Sequence, residues 1–230
     1  MNLTGHNMSL IKKIIPFLLI VLLVICFVNV GCKKKQNKIS IRGYLFDPKQ
    51  NISVAGALVT ISSSKITSGV YNSNYQDIAT TTTDASGNFS FDFTEEKSAG
   101  YRFYIRKDNY FDYTVDVSAN DITHDQTYSP TFNLYPEAYL KLEVKNTTPY
   151  DSADFISYRL TTGFLECYQC CTNTTFKGYG KTYDTIMKCR TYGSSTVTLN
   201  WNVIKNGFPS STQQNIFCTP YDTTFYQISY

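Results

Sequence analysis

From Ile39 onward the chain has no helical periodicity of useful length. It has instead many short stretches in which apolar and polar residues alternate, bounded by Gly, Asn, Asp and Ser, and that pattern specifies strands. An all-β fold is therefore expected. Ile39–Phe46, Ala57–Ser63, Asn88–Phe93, Tyr101–Ile105 and Tyr110–Val117 are the clearest strands of the first half. Leu140–Val144, Phe155–Leu160, Thr196–Val203, Asn215–Cys218 and Thr224–Ser229 are those of the second. The Pro-containing segment Tyr128–Pro136 separates the halves, and Ala138–Asn146 restarts the alternation. Two small β-sandwich domains are expected, 39–135 and 137–230, each near the roughly 100 residues such a sandwich uses. Along Tyr110–Val117, Phe111, Tyr113, Val115 and Val117 share one face, while Asp108, Asp112 and Asp116 share the other. Spread along one strand, those carboxylates cannot converge on one ion, so a solvent-facing row is expected. Trp201 alternates with Val197, Leu199 and Val203 and is expected in the core. The closing Tyr-Gln-Ile-Ser-Tyr230 is expected to dock as a strand.

The N-terminal part is of another kind. Lys12-Lys13 precede an apolar run, Ile14–Val28, that is shorter than the roughly 20 residues of a bilayer-spanning helix and has Pro16 near its start. The run ends in Asn29-Val30-Gly31-Cys32, which resembles the bacterial lipobox, with Asn29 where that family prefers Leu. Residues 1–31 are thereby identified as a cleaved lipoprotein signal peptide of Bacteroidota type. Met8 fits as its true start, and His6 does not reach the mature chain. The competing readings are an uncleaved anchor and a simple secretory signal. The resemblance implies that the Cys32 thiol carries diacylglycerol, so the first partner is a membrane. Residues 32–38 form a Lys-rich tether reaching at most roughly 25 Å. Lys33-Lys34-Lys35 can be simply solvated or can attract anionic headgroups, at about 1 kcal/mol per Lys near the surface. In this phylum surface export is associated with acidic residues after the lipidated cysteine. The lysines here give a slight lean to the periplasmic face of the outer membrane over the cell surface.

All eighteen acidic and nineteen of the twenty-one basic residues follow Gly31, so the mature chain is formally +1. Four of those lysines lie in the tether, leaving 15 basic against 18 acidic residues, or −3, in the folded part. Such a balance offers no basic surface for nucleic acid.

Ala79–Phe93 combines a threonine-rich strand, an Asp84-Ala-Ser-Gly87 turn and a strictly alternating strand, and is expected to form a hairpin. Together with Gly43-Tyr-Leu-Phe-Asp47 and Val54-Ala-Gly-Ala57-Leu-Val-Thr-Ile61, it resembles the carboxypeptidase regulatory-like domain, a small transthyretin-like or immunoglobulin-like sandwich. Ser53 stands where that family has Pro and Leu45 where it has Val, and Ser62–Gln76 is longer and more polar than in many members. The resemblance covers about Ile39–Tyr135. It implies an accessory module and brings no catalytic residues with it.

Seven cysteines divide by position: Cys26 in the signal, Cys32 at the lipid, and Cys167, Cys170, Cys171, Cys189 and Cys218 in the second domain. In an oxidising compartment disulfides are the default for these five. Two bridges and one free thiol is the simplest count, and fifteen pairings satisfy it. Cys167-x-x-Cys170 also supplies half of a zinc pattern, but Cys189 and Cys218 lie too far apart in sequence to form its second close pair. No metal or cofactor is implied. A thiol- or zinc-dependent enzyme using Cys167–Cys171 with His124, the single mature histidine, is the alternative to a non-catalytic protein. Glu95-Glu96 point apart as neighbours must, so surface charge is expected rather than a glycosidase pair.

Nineteen tyrosines and fifteen phenylalanines must partly fill two small cores. Tyr101, Tyr104, Tyr110 and Tyr113 fall on both faces of neighbouring strands, and Tyr71 and Tyr75 in an expected polar loop. Exposed tyrosines suit glycan or protein contacts. Asp151-Ser152-Ala153, Asp184-Thr185-Ile186 and Asp222-Thr223-Thr224 match a short O-glycosylation sequon of exported Bacteroidota proteins, which makes Ser152, Thr185 and Thr223 candidate acceptors. The expectation is a non-catalytic binding or structural module, held at the outer membrane by its lipid and meeting a glycan or an outer-membrane protein.

Overall fold

The computed structural model describes residues 36–67 and 70–230, the side chains of 66–73 apart. The apolar run, Lys12, Lys13, Cys26, Cys32, Lys33-Lys34-Lys35 and the side chain of Tyr71 lie outside the described residues.

The described chain is all β. The first half contains β1 (Lys38–Asp47), β2 (Ile52–Ser53), β3 (Leu58–Thr67), β4 (Val70–Thr82), β5 (Asn88–Thr94), β6 (Ser98–Arg106), β7 (Tyr113–Ser118) and β8 (Thr131–Asn133). One sheet is built on β1, which pairs antiparallel with β5 and β2 and parallel with β8. The other has the order β4-β3-β6-β7 and is antiparallel throughout. Alternation does the sorting. Ile39, Ile41 and Leu45 of β1 face Val59 and Ile61 of β3 and Phe103 and Ile105 of β6, and all are buried. Gly43 belongs to the same inward set. A Cβ there would stand 2.1 Å from the Phe89 ring, so glycine makes the room that this ring occupies.

The second half contains β9 (Glu137–Lys145), β10 (Phe155–Thr162), β11 (Phe176–Tyr179), β12 (Asp184–Tyr192), β13 (Ser195–Lys205), β14 (Phe208–Cys218) and β15 (Thr223–Ser229). They form an antiparallel sheet β11-β10-β13-β14 and a sheet β12-β9-β15 in which β15 runs parallel to β9. Between them lies a core of Leu140, Leu142, Val144, Ile156, Leu160, Val197 and Leu199, among others. Trp201 is half-buried and packs against that core beside Tyr226. The first core runs to Leu134 and the second starts at Ala138, and both are completed within the compact segment Lys38–Tyr230.

Two expectations need correction. The Asp84–Gly87 turn forms as read: Asp84 accepts from the backbone N–H of Ser86 and Asn88, and Gly87 has φ +80°. The bond from the Asn88 N–H, ahead of the others, holds the Asp84 carboxyl below its usual range. The flanking strands do not pair with each other, however. β4 stays with β3, while β5 crosses to β1 in the opposite sheet, so the turn is an arch and not a hairpin. Thr83 is the pivot. Its buried hydroxyl donates to the Val54 carbonyl and accepts from the Ala57 N–H, which binds the departing chain to the turn between β2 and β3. The second correction concerns the polar loop expected at Tyr71 and Tyr75, which is strand: both lie in β4. β3 and β4 continue as a paired ribbon, with Ser62 donating to Asp77 at 2.7 Å and the Tyr75 ring 4.0 Å from the Arg102 guanidinium.

The Asp row does face solvent. Asp116 is paired with Arg102 at 2.6 and 2.8 Å, and Asp112 accepts from the Tyr104 hydroxyl at 2.7 Å.

The two halves meet at an aromatic joint. Phe111, Tyr135 and Tyr192 pack ring to ring, with centroids 4.9 to 5.1 Å apart. The Glu137 N–H donates to the Asn109 carbonyl and the Tyr221 N–H to the Glu137 carbonyl. Tyr110 and Tyr221 share a hydroxyl contact at 2.6 Å above Asp47. Burial, then the Tyr221 hydroxyl, push the Tyr110 phenol well above its ordinary range.

Phe103 is fully buried and touches the Phe89, Phe132 and Tyr128 rings. Phe103→Ala should cost about 3–5 kcal/mol in urea unfolding, whereas Leu58→Ala, on the exposed side of β3, should cost about 0.5 kcal/mol or less. Equal losses would show that the core is not where the rings place it.

Candidate functional site

Four of the five second-domain cysteines form bridges. Cys167 pairs with Cys170 across a tight turn, with Cα atoms 5.2 Å apart, and Cys171 pairs with Cys189 of β12 at 4.7 Å. The loop between β10 and β11 is thereby laid along the outer edge of β12. The Cys171 N–H donates to the Arg190 carbonyl and the Arg190 N–H to the Gln169 carbonyl, which extends the sheet by one short rung. Arg190 fixes the loop from the side: its guanidinium pairs with Glu137 at 2.9 Å, lies 4.7 Å from the Phe111 ring and approaches the Cys167 sulfur at 3.8 Å. Cys218 is a free, buried thiol, and burial pushes its pKa up to about 11.

His124 stands on the first sandwich, with Nδ1 2.7 Å from the Glu95 carboxylate and Nε2 3.2 Å from Asp125. Glu96 pairs with Lys65 at 2.7 Å. The four bridged cysteines sit on the second sandwich, paired with one another, and Cys171 is tied to Cys189 of β12. Among the described residues no three His, Cys, Asp or Glu side chains gather as a metal site. The arrangement staples a loop to a sheet edge.

The three sequons fall in unlike places. Ser152 is exposed at the tip of the loop 146–154. Thr185 is half-buried in β12 on the side of Met187 and Cys189, and Thr223 is half-buried where β15 begins. Only Ser152 offers a hydroxyl free of a strand. Its loop is held by a buried carboxylate. Asp154 accepts from the Tyr150 N–H and the Asn146 amide at 2.8 Å each, and Lys205 donates to the Asn146 side-chain oxygen and the Thr148 carbonyl. Burial opposes the charge on Asp154, but these donors outweigh it and lower its pKa.

The tyrosines read as contact candidates are largely spent inside. Tyr101 and Tyr110 are buried and Tyr113 half-buried, and Tyr104 is tied to Asp112. Exposure concentrates in the second sandwich, at Tyr168, Tyr179, Phe208 and Phe217, which are 85, 65, 74 and 58% accessible.

A polar concavity of that half lies on the outer face of β10, β13 and β14. Because Ile156, Tyr158, Leu160, Leu199 and Val203 point inward, the alternate positions of the same strands point out. They line a cleft of about 450 Å³ with Ser157, Arg159, Asn200, Asn202, Ser211 and Gln213, closed at one side by Thr175. Its lining holds hydroxyls, amides, one guanidinium and parts of Tyr158 and Trp201, and no carboxylate. Ser211 donates to the Asn202 amide oxygen at 2.6 Å, while the Asn200 amide oxygen is buried with no hydrogen-bond partner among the described residues. Beside the cleft runs an apolar row across the sheet, Tyr179, Phe155, Ile204 and Pro209, with the first two rings 5.0 Å apart. Sequence reading found β13 but passed over its outer residues. The available signal was that Thr198, Asn200 and Asn202, on the polar side of a strong strand, are uncharged.

No family model matches the chain, and no curated protein matches it. Among solved structures it is similar to the Bacillus anthracis TIE protein, at 11% identity and a TM-score of 0.37, over 84% of this chain and 34% of that one. The chain thus spans about a third of that protein's length. It is similar also to the shaft pilin SpaA from Lactobacillus rhamnosus GG (an E269A/D295N double mutant), at 11% identity and a TM-score of 0.30, over 85% and 98% of the two chains. A 3-chlorocatechol 1,2-dioxygenase from Rhodococcus opacus aligns over 45% of this chain and 61% of its own, at 13% identity and a TM-score of 0.34. Likenesses at this level carry no functional argument.

Two outcomes are expected. Ellman's reagent should find no reactive thiol in folded Lys38–Tyr230 and one after denaturation, whereas several reactive thiols would undo the bridge assignment. Asp154→Asn should lower the melting temperature at pH 7. A depressed native pKa contributes stability above the unfolded value of about 3.9 and loses it as pH falls through the native one. The gap between wild type and variant should therefore narrow at pH 3, and an unchanged gap would contradict the assignment.

Proposed function

We propose that this chain is a lipoprotein fixed to the outer membrane through Cys32, and that it acts as a non-catalytic binding or structural module. In this reading residues 1–31 are removed, the Lys-rich tether keeps the first sandwich close to the bilayer, and the periplasmic leaflet is slightly favoured. The lipobox resemblance supports the anchor, and the carboxypeptidase regulatory-like resemblance supports an accessory role for the first sandwich.

The observation that carries the binding role is the cleft on β10, β13 and β14. Side-chain amides, hydroxyls and a single guanidinium beside an apolar row suit the hydroxyls and the ring faces of a glycan, or a polar protein surface. General acid–base chemistry usually draws on a carboxylate or imidazole, and the cleft lining has neither. Nothing in the cysteine loop favours the thiol or zinc alternative.

Replacing Cys32 by Ser should move the protein from the membrane to the soluble fraction and abolish incorporation of labelled fatty acid. On a panel of immobilised glycans and outer-membrane proteins, the double variant Arg159→Ala, Asn200→Ala should weaken binding about tenfold or more, through the loss of one charged and one neutral hydrogen-bonding group. Hydrolysis of a substrate by a clean preparation, lost on changing one residue, would overturn the non-catalytic reading.

A further inference from the structure

Strand β14 is an edge, and among the described residues no strand pairs with its outer side. Its backbone partners all lie in β13, and its residues from Phe208 to Asn215 are exposed without a break. A bare edge of this length is a template for another strand, and proteins usually blunt such edges with charge or cover. The other long edges here are blunted. β4 carries Asp77; β12 carries Asp184, Lys188 and Arg190 and is overlaid by the cysteine loop. β14 reads Phe-Pro-Ser-Ser-Thr-Gln-Gln-Asn-Ile-Phe-Cys, with no charged residue. β15 is also uncharged but shorter, and Lys141 lies over its exposed Phe225.

The hairpin that begins β14 fixes which backbone groups face outward. Asn206 and Gly207, with φ 49° and 72°, form a two-residue turn of the type that suits twisted strands, so Lys205 and Phe208 exchange both hydrogen bonds. Hydrogen-bonded and open pairs then alternate along the ladder, which turns the Pro209 carbonyl and the N–H and C=O groups of Ser211, Gln213, Asn215 and Phe217 away from β13, the Asn215 carbonyl accepting from the Gln214 side-chain amide at 2.9 Å and the Phe217 carbonyl from the Thr224 hydroxyl at 3.4 Å. Proline lies where its missing N–H costs the sheet nothing.

We infer that β14 pairs antiparallel with β14 of a second copy of this chain, about a twofold axis normal to the sheet at Gln213. This goes beyond the reading proposed above and does not depend on it. An isologous pair must match residues on the same face. Setting Gln213 opposite itself puts Ser211 against Asn215 and Pro209 against Phe217. About eight backbone hydrogen bonds then form, more than when the strands are shifted to centre on Thr212. In this register the exposed Phe217 ring of each copy joins the end of the other copy's apolar row at Pro209 and Ile204. Self-pairing of an uncharged strand brings no like charges together, which a charged edge could not offer itself. One strand against one strand makes a small interface, in the class below about 1,200 Å² whose complexes are weak and reversible. Two antiparallel four-stranded sheets become one of eight, and two clefts come to lie on one continuous face.

The test uses Lys38–Tyr230, which contains both cores complete. Sedimentation should show a monomer–dimer equilibrium, and Gln213→Lys, which sets two ammonium groups face to face on the axis, should weaken the dimer at least tenfold with an unchanged circular dichroism spectrum. Gln213→Cys should oxidise to a covalent dimer at least tenfold faster than Thr196→Cys, an exposed control on β13 away from the axis. A monomer at all concentrations up to about 1 mM, a dimer indifferent to Gln213→Lys, or equal rates for the two cysteine variants would each overturn the proposal.

Discussion

The joint between the sandwiches rests on a carboxylate that water cannot reach. Asp47, at the end of β1, is fully buried, and a buried charge persists only if its oxygens are filled. The Lys49 and Gln50 N–H groups donate to one oxygen, at 2.8 and 3.0 Å. The Gln50 amide and the Tyr110 hydroxyl donate to the other, at 2.8 and 3.2 Å. Tyr110 and Gln50 both reach Tyr221 of the second half. The demand of one carboxylate for donors thus sets the turn after β1, the rotamer of Tyr110 and the point where the chain before β15 must pass. The Phe111, Tyr135 and Tyr192 rings join the same two halves.

The same economy governs the sandwiches. Each is only two sheets thick, so each strand has one face to bury, and bulky rings fill the space that few residues leave. Phe89, Phe91, Phe103 and Phe132 do so in the first half, where the missing side chain of Gly43 is as much a part of the packing as the ring above it. In the second half Tyr158 and Tyr230 are buried among aliphatics, with Phe176, Tyr183, Trp201 and Tyr226 packed against them, and the Cys171–Cys189 bridge holds the loop on β12.

Wherever burial was one-sided the fold could be read in advance. β1, β5, β9 and β13 announce themselves because their inner and outer faces meet different solvents, and that contrast is what alternation records. β14 from Phe208 to Gln214 could not be read, since it is exposed on both faces and leaves no contrast to record. β12 failed for another reason: Thr185 and Cys189 interrupt its apolar set, and a bridge replaces part of the burial. Ser62, Ser63 and Ser64 are buried, and their hydroxyls give no sign of the ribbon beyond Ser63 until Asp77 and the Gly100 carbonyl are seen beside Ser62 and Ser64. The arch at Asp84 was misread because its turn chemistry is the same as a hairpin's, and the choice is made by Thr83, through contacts far away in sequence. The bridge partners were beyond counting, and the cleft was invisible because its residues are ordinary one at a time.

In each half the first strand runs parallel to the last, β1 with β8 and β9 with β15. Parallel neighbours leave their opposite ends pointing in opposite directions. Tension between the residue entering β9 and the residue leaving β15 therefore pulls the two strands lengthwise past each other. It loads the seven register pairs from Thr223–Tyr139 to Ser229–Lys145 at once, where a hairpin would surrender its rungs one after another. The three pairs of β1 and β8 are strained the same way. Held at one end and drawn from the other, the segment resists as a clasp in shear, a mechanical strength that comes from strand direction alone and would survive wide changes in the side chains.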